Sequence, residues 1–579
     1  MTTISTSPPR RVVQLGLGGN IALLFAIIAA VYLISGPLIT LLLAAFRGPL
    51  DRLLFESDTY WTLSNFAAVY LSPRLYSNII PSTAIFVAGS VSLTFLVAFT
   101  LAWLVERTDL PARTTVFTCV LFPLLVPTVV LGLAWTFLLG PRAGLVNVAI
   151  RAIFGWQGEG PIQLFSMGGL ILCQGLALVP FVFLLLGATL RSMNPALEEA
   201  SAASGASPFT TFFHVTLRVL LPGILAPLIL ATLITLEQFE MPLMIGRPAR
   251  INVFSTQIYY DLNPDSDVPQ FGRAAAISVM FLCIGGLLLY LYNRAISRAD
   301  AFVTVSGKGY RPSRIPLGRW KIPALIFVFL YVSFAVVLPV LVLLLTSLYA
   351  TDMTSLAALS KLNFTAYANV LLHPEIWLAT RNTFLVAAGS AVIVTCIGLL
   401  LSWAVLRTQI RGRAILDFIG FASLGIPSVI AGLAVMLLYL MIPIGIYGTV
   451  WILIVAYSYR LAVATRLSRA ALMQIHAELE EASYVSGGRW IDTMRQIVLP
   501  ILAPSLLASF TLLFIVGFRE FTIPLILQGS ENVVLSTIMW NLFLSRQSAE
   551  ASAVGVLIIV LVIPVIVVLR RQLLKQSNA

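Results

Sequence analysis

The sequence is dominated by apolar runs, each about long enough to cross a lipid bilayer. Because a transmembrane helix needs about 20 mostly apolar residues, such runs predict membrane spans. Twelve can be counted, near residues 18–46, 79–105, 116–139, 165–187, 221–245, 273–293, 322–348, 383–406, 415–440, 447–466, 501–528 and 550–569. The chain is therefore predicted to be an all-α polytopic membrane protein with about 12 transmembrane helices.

The content of charged residues supports this class. Only 10% of the residues are charged, whereas about a quarter would be in a soluble globular protein. The net charge of +12 could suggest nucleic acid, but the basic residues lie in short loops beside apolar runs, where they orient the chain. We expect membrane lipid and no nucleic acid as a partner. The apolar run after Arg10 and Arg11 is too long for a signal-peptide core and predicts a retained first span.

Two polar segments between apolar runs are near copies of each other. At a constant shift of 282 residues, the identical pairs include Glu199 with Glu481, Ala200 with Ala482, Ser201 with Ser483, Gly205 with Gly487 and Leu217 with Leu499. Because glycine tolerates the left-handed conformation that a helix end needs, each segment predicts a short helix, a turn and a second amphipathic run. Asn194-Pro195 predicts the helix start in the first copy.

The duplication extends to earlier residues at a shift of 300. Pairs in this register include Trp103 with Trp403, Arg107 with Arg407, Arg113 with Arg413, Pro127 with Pro427 and Gly132 with Gly432. The first half therefore carries 18 extra residues between about Gly140 and Phe165. We interpret them as a surface insertion, and a dedicated contact for a partner protein is the alternative.

The two halves are predicted to point the same way in the membrane. Each half crosses an even number of times, which gives parallel repeats related by an axis along the membrane normal. The face that holds both polar segments and both termini carries 24 Lys and Arg residues, against 10 on the opposite face. By the positive-inside rule the first face is cytoplasmic. We predict a first domain at 1–293, a basic connector at 294–321 and a second domain at 322–579.

The repeated polar segments resemble the EAA loop of binding-protein-dependent ABC importer permeases. Its pattern is Glu-Ala-Ala, three residues, Gly, nine residues, a hydrophobe, any residue, Leu and Pro. The second copy, at about 469–504, matches with Glu481, Ala482, Ser483, Gly487, Ile497, Leu499 and Pro500. The first copy, at about 191–222, departs at its end, where Arg218 replaces the proline.

This resemblance implies the type I ABC importer permease fold, with two six-helix repeats fused in one chain of a bacterial inner membrane. The coupling residues that it implies are Glu199, Ala200, Gly205, Glu481, Ala482 and Gly487. They would dock against two copies of a separate ABC ATPase, and a periplasmic solute-binding protein would deliver the substrate. The sequence has no GxxxxGK[ST] motif, so we expect no ATP hydrolysis and no cofactor in this chain, with ATP and Mg bound by the ATPase.

The substrate class is open at this stage. The length and the two EAA loops look most like the ferric-iron class of fused permeases. Permeases for thiamine, polyamines, phosphonates or other small organic solutes share the same architecture. A rival from another class is a secondary transporter of the major facilitator type, and a third possibility is a channel or structural protein. Neither rival has a reason to keep a doubled polar loop with the same glutamate and glycine.

A second repeated motif follows each EAA loop. The sequence reads LEQFEMPL from Leu236 and FREFTIPL from Phe518, again at a shift of 282. Charged groups at membrane depth usually face a partner or a water-filled path. We therefore predict a translocation pathway that includes Glu237, Gln238, Glu240, Arg519 and Glu520. We also hypothesise an ion pair between Glu237 and Arg519, with the alternative that both lie at span ends and reach the interface.

Other chemistry-bearing residues give weaker signals. Pro127 and Pro427 predict kinked third spans that pack closely through the nearby glycines. The four cysteines and three histidines are isolated, and we predict no metal site. The acidic loop at residues 263–267 lacks the ligand spacing of a calcium site and is predicted to be a solvated turn.

Overall fold

A computed structural model describes residues 17–54, 56–193, 196–264, 268–300, 314–349, 362–410, 412–442 and 444–577. Within these ranges the chain is almost entirely helical, and the paired strands are β1 (Arg47–Gly48) and β2 (Tyr60–Trp61). The predicted all-α class is therefore confirmed. Asn194-Pro195, residues 265–267 of the acidic loop and residues 301–313 of the connector lie outside the described residues.

The helices follow the order of the predicted spans. The first half contains α1 (Leu17–Ala45), α2 (Ser64–Tyr70), α3 (Ile80–Arg107), α4 (Arg113–Leu121), α5 (Thr128–Leu139), α6 (Leu145–Phe154), α7 (Met167–Ser192), α8 (Ala196–Ala203), α9 (Pro208–Thr211), α10 (Leu217–Glu237), α11 (Phe254–Leu262) and α12 (Phe271–Asp300). The second half contains α13 (Lys321–Val332), α14 (Leu338–Ser347), α15 (Thr365–Leu372), α16 (Pro374–Arg407), α17 (Arg413–Ala422), α18 (Ser428–Met441), α19 (Val450–Tyr457), α20 (Leu461–Leu472), α21 (Ala477–Val485), α22 (Trp490–Thr493), α23 (Leu499–Phe518), α24 (Thr522–Ile526), α25 (Leu535–Leu544) and α26 (Ser548–Ser577). Short 3-10 or π turns lie at Leu75–Ile79, Phe122–Leu125, Phe212–Thr216, Pro242–Gly246, Gly318–Trp320, Ser333–Val337, Ser423–Gly425 and Met494–Val498.

Not every predicted span is one straight helix. Among the described residues, seven helices are long and apolar enough to cross a membrane, or up to 11 if each of four bent pairs counts as one span. The twelfth prediction falls in α26, whose apolar part, Ser548–Pro564, is shorter. The count of twelve is therefore not confirmed, although each predicted run contains a helix.

The sharpest bends occur at the two prolines that the sequence singled out. The helix pairs around Pro127 and Pro427 turn by 100° and 111°. Proline lacks an N–H and disfavours helical geometry in the residue before it, and Val126 and Ile426 are accordingly extended. Close packing follows, because a Cβ atom on Gly132 would lie 2.6 Å from the sulfur of Met244. The predicted kinks are confirmed.

The two halves exchange their first helices. α1 packs against α16 and α18 of the second half, and α14 packs against α5 of the first half. The Tyr32 hydroxyl lies 2.7 Å from the Tyr439 hydroxyl, and the Trp135 indole N–H donates to the Phe334 carbonyl at 3.4 Å. The largest apolar core accordingly contains residues of both halves, such as Val129 and Val429. Each half therefore completes the packing of the other.

The described end of the connector is attached to the first half. The Ile315 N–H donates to the Arg107 carbonyl at 2.9 Å, and the Leu317 N–H donates to the Asp109 carboxylate at 2.9 Å. The hydrogen bond from Leu317 holds the pKa of the Asp109 carboxyl below its usual value, and Lys321 adds to this effect. The connector therefore ends next to the chain segment that leads into the third span.

The insertion in the first half is an ordered structure. Its centre is α6, and the buried Asn147 side chain donates to the carbonyls of Leu139, Gly140 and Ile162. These bonds close the segment on itself beside the end of α5. The end of α6 exposes Ile153 and Phe154, and Trp156 just beyond it is also exposed. A surface insertion and a contact for a partner protein both remain compatible with this geometry.

The close contact between α16 and α20 gives a stability prediction. A Cβ atom on Gly398 would lie 2.5 Å from the Cβ of Ala464 and 3.0 Å from its backbone carbon. We expect Gly398→Ala to reduce the free energy of unfolding by about 1–3 kcal/mol, because the helices would have to move apart. Thermal unfolding of the purified protein in detergent measures this. Gly286→Ala is the control, since nothing lies within 4 Å of its Cβ position, and equal stability of the two variants would contradict the prediction.

Candidate functional site

The two EAA loops form short helices with exposed motif residues. α8 carries Glu199 and Ala200, α21 carries Glu481 and Ala482, and all four side chains are exposed. Gly205 and Gly487 follow with φ values of +80° and +85°, which confirms the left-handed turn expected after each helix. The surface of each helix therefore presents the same glutamate and alanine to a partner.

The glutamate that precedes each exposed one is turned inward. Glu480 has a side chain that is only 2% exposed and accepts from the Arg407 Nε at 2.9 Å and from the Trp403 Nε1 at 3.0 Å. In the first half, Glu198 forms an ion pair with Arg107 and accepts from the Thr216 hydroxyl at 2.6 Å. The ion pairs with Arg107 and Arg407 join α8 and α21 to the end of the second span of the same half.

One further hydrogen bond braces each loop. The hydroxyls of Ser201 and Thr211 lie 2.9 Å apart, and those of Ser483 and Thr493 lie 2.8 Å apart. These bonds link α8 to α9 and α21 to α22 across the glycine turns. The loop is thus held on both sides. The sequence predicted Ser201 and Ser483 as motif residues, but it gave no signal for their partners.

The second repeated motif lies where the fifth span of each half is interrupted. α10 ends at Glu237 and α23 ends at Phe518, so the predicted spans at 221–245 and 501–528 are shorter than expected. Short turns at Pro242–Gly246 and at α24 continue the chain. The break brings together a set of polar residues, here named the central polar layer: Glu237, Gln238, Glu240, Arg460, Arg519, Glu520 and Thr522.

Equivalent residues of the two halves meet directly in this layer. The Thr522 hydroxyl donates to the Glu240 carboxylate at 3.1 Å, and the rings of Phe239 and Phe521 stack with centroids 6.4 Å apart. Both pairs are separated by 282 residues, which is the repeat shift. The pseudo-twofold axis of the fused halves therefore passes through this point. The alternative that these residues only reach the membrane interface does not fit Glu520, whose side chain is 7% exposed.

The hypothesised ion pair between Glu237 and Arg519 is wrong. No ion pair joins these two side chains in the described part of the chain. Instead, the Arg519 guanidinium donates to the Leu124 carbonyl of the other half. Leu124 lies in the turn before Pro127, where the helical hydrogen-bond ladder is broken, so its carbonyl is available as an acceptor. Arg519 therefore bridges the halves through a backbone group rather than through Glu237.

Arg460 is the residue that sequence reasoning missed. It lies at the 53° bend between α19 and α20, forms an ion pair with Glu520 and donates to the Ser428 hydroxyl at 3.0 Å. The positive-inside count had assigned it to a cytoplasmic loop. The available signal was a lone arginine flanked by tyrosines within a predicted span, because such a charge at membrane depth requires a partner.

An aromatic group separates the central polar layer from a cavity at the other side. Phe239 contacts Tyr259 at a centroid distance of 5.4 Å, and Phe521 contacts Trp540 at 5.9 Å. Tyr259 and Trp540 also line a cavity of about 940 Å³. Phe239 and Phe521 are almost fully buried, so the two rings close the passage between cavity and layer in this structure.

The layer does not form a metal site as it stands. The described residues include no group of three or more His, Cys, Asp or Glu side chains arranged to hold a metal ion. Arg460 forms an ion pair with Glu520, and the Thr522 hydroxyl and the Gln238 amide donate hydrogen bonds to Glu240. The layer places carboxylates from both halves between the two bundles.

The structure thus contains two loops with the same internal bonds and a polar layer between two repeated bundles. The family model for "Binding-protein-dependent transport system inner membrane component" matches residues 98–299 and 394–574, which together make up more than half of the chain. The chain belongs to this family and is a multi-pass inner membrane permease of an ABC importer. The alternatives of a major facilitator and of a channel are thereby excluded.

Three individual relatives share 27–32% of their aligned residues with this chain. The chain is 27% identical to the ferric transport system permease protein FbpB of Actinobacillus pleuropneumoniae, over 84% of this chain and 70% of the relative. It is 28% identical to a putative ferric transport system permease protein FbpB 1 of Haemophilus influenzae, over 75% of this chain and 68% of the relative. A putative 2-aminoethylphosphonate transport system permease protein PhnU of Salmonella typhi is 32% identical over 30% of this chain and 58% of the relative.

The buried glutamate of the second EAA loop gives a testable prediction. Glu480→Ala leaves Arg407 and Trp403 without their shared acceptor. Because a hydrogen bond to a charged group contributes about 1.5–3 kcal/mol, amide exchange in α21 should become at least about tenfold faster. Hydrogen–deuterium exchange with mass spectrometry measures this on the purified chain. Glu481→Ala is the matched control, and its exposed side chain predicts unchanged exchange. Equal protection in both variants would refute the role of Glu480.

Proposed function

We propose that this permease forms the complete translocation pathway of an importer for ferric iron. The main support is the pair of ferric permease relatives, which match along most of the chain. The chemistry of the central polar layer agrees, because Glu237, Glu240 and Glu520 offer the oxygen ligands that a hard, highly charged cation prefers. No cofactor is required of this chain, and the iron is its cargo.

The partners and the orientation belong to the same proposal. One ABC ATPase subunit docks under Glu199 and Ala200, and a second copy docks under Glu481 and Ala482. Gly205 and Gly487 permit the turn that follows each docking helix. ATP and Mg are bound by those subunits. The EAA loops and both termini lie in the cytoplasm, and a periplasmic binding protein delivers cargo to the opposite face.

A phosphonate substrate is the second candidate. It is favoured by the 32% identity to the 2-aminoethylphosphonate permease, although that match covers only 30% of the chain. Arg460 and Arg519 could pair with a phosphonate, since guanidinium groups bind such oxyanions well. Both arginines already have acceptors in this structure, whereas the three glutamates outnumber them. The balance of charge favours a cation.

The docking proposal can be tested by charge reversal. Glu481→Arg should reduce co-purification of the ATPase subunit by at least about tenfold, which corresponds to about 1.4 kcal/mol. Affinity purification of the tagged permease from cells that express the complete system measures the loss. Glu375→Arg is the control, since this exposed residue lies at the opposite end of α16. Full retention of the ATPase by Glu481→Arg would rule out docking at this helix.

The substrate proposal can be tested by transport. Proteoliposomes that contain the permease, its ATPase and its binding protein should take up radioactive ferric iron only when ATP is present. A variant ATPase that cannot hydrolyse ATP provides the control for passive leakage. Uptake of 2-aminoethylphosphonate without uptake of iron would overturn the ferric proposal and establish the second candidate.

A further inference from the structure

Arg460 is a positive charge held inside the bundle by several weak contacts and one strong one. Its ion pair with Glu520 joins side chains that are 16% and 7% exposed. The remaining contacts are the Ser428 hydroxyl at 3.0 Å and the ring faces of Tyr457 and Tyr459, at 5.6 and 5.3 Å from the guanidinium carbon. The guanidinium therefore makes three contacts that do not depend on the Glu520 carboxylate.

The surroundings of Arg460 are rich in carboxylates. Glu237 lies within electrostatic reach of Arg460, Glu520 and Glu240, and Glu240 lies within reach of Glu520 and Arg519. Arg519 is directed to the Leu124 carbonyl rather than to a carboxylate. Arg460 is thus the cation that directly pairs with a carboxylate of the central polar layer.

The pair is absent from the other half of the duplication. At the shift of 282, Glu520 corresponds to Gln238 and Arg460 corresponds to Leu178. If one residue is inserted at the bend of the second half, Arg460 corresponds to Ala177 instead. In the first half the corresponding helix, α7, continues without a break and without either charge, whereas the second half bends at Arg460. The ion pair and the bend are therefore features of the second half alone, which the repeated architecture does not account for and a role in handling cargo would explain.

We propose that Arg460 is a resident counter-cation: it occupies Glu520 while the pathway is empty, and a cationic cargo displaces it. This rests on the proposed transport of a cation. A buried carboxylate needs a positive partner, and a highly charged metal ion attracts the three glutamates more strongly than one guanidinium does. On displacement, Arg460 remains on Ser428 and the two tyrosine rings.

Removal of the guanidinium should expose a cation site in the purified chain. The probe is Tb³⁺, whose luminescence is sensitised by nearby tyrosines such as Tyr457 and Tyr459. We expect Arg460→Met to bind Tb³⁺ at least about tenfold more tightly than the unmodified protein. Arg460→Lys should bind like the unmodified protein, because the positive charge is kept. The double variant Arg460→Met with Glu520→Gln should lose the gain, because the carboxylate is gone.

Arg469→Met is the matched control. Arg469 forms an ion pair with Asp417 at 2.8 Å in the same half, but both side chains are more than 30% exposed. Freeing Asp417 should leave Tb³⁺ affinity unchanged. Thermal unfolding of each variant establishes that it is folded.

The inference is overturned if folded Arg460→Met binds Tb³⁺ no more tightly than the unmodified protein, or if the double variant keeps the gain. This outcome is separate from failure of the ferric proposal, because Tb³⁺ binding requires neither the ATPase nor the binding protein. Iron uptake without a gain in Arg460→Met would refute the counter-cation alone. A gain in a protein that imports no iron would leave a cation site for a different cargo.

Discussion

Two carboxylate–arginine contacts, Glu198 with Arg107 and Glu480 with Arg407, attach the EAA loops to the membrane helices. Each joins a loop helix to the end of a long span, and Glu480 is almost completely shielded from water. Removing one partner of a buried ion pair costs about 3–5 kcal/mol, which is more than thermal motion supplies. The loop and its span are therefore held together as one body. If an ATPase docks on the loops as proposed, this attachment is what would carry a displacement to the membrane helices.

The fused halves are alike in architecture and different in chemistry. The EAA loops share a carboxylate–arginine ion pair and a serine–threonine hydrogen bond in both halves, which agrees with the proposal of identical ATPase partners. The central polar layer departs from the repeat, because Glu237 and Gln238 of the first half correspond to Arg519 and Glu520 of the second. In a homodimer of one half such a difference could not arise. Fusion in one chain allows each bundle to contribute different charges to a shared passage.

The parts of the structure that depend on neighbouring residues in the sequence were predictable. Pro127 and Pro427 break their helices because proline removes a hydrogen bond locally, and the glycine turns follow from one residue each. Features that depend on distant partners were not predictable. The bend before Arg460 contains neither proline nor glycine, and Glu520 lies 60 residues further along the chain. The direction of Arg519 depends on a carbonyl of the other half, which no pattern in its own span reveals.

One helix connects the loop to the layer in each half. α23 has 20 residues, so about 30 Å separate the coupling end from Phe518. The stack of Phe239 on Phe521 and the bond from Thr522 to Glu240 each have one member in either half. If the proposed ATPase docking changes the separation of the two EAA loops, the attached helices would move these partners relative to each other. Because the aromatic contact and the polar bond both cross between the halves at neighbouring residues, one displacement would change both together.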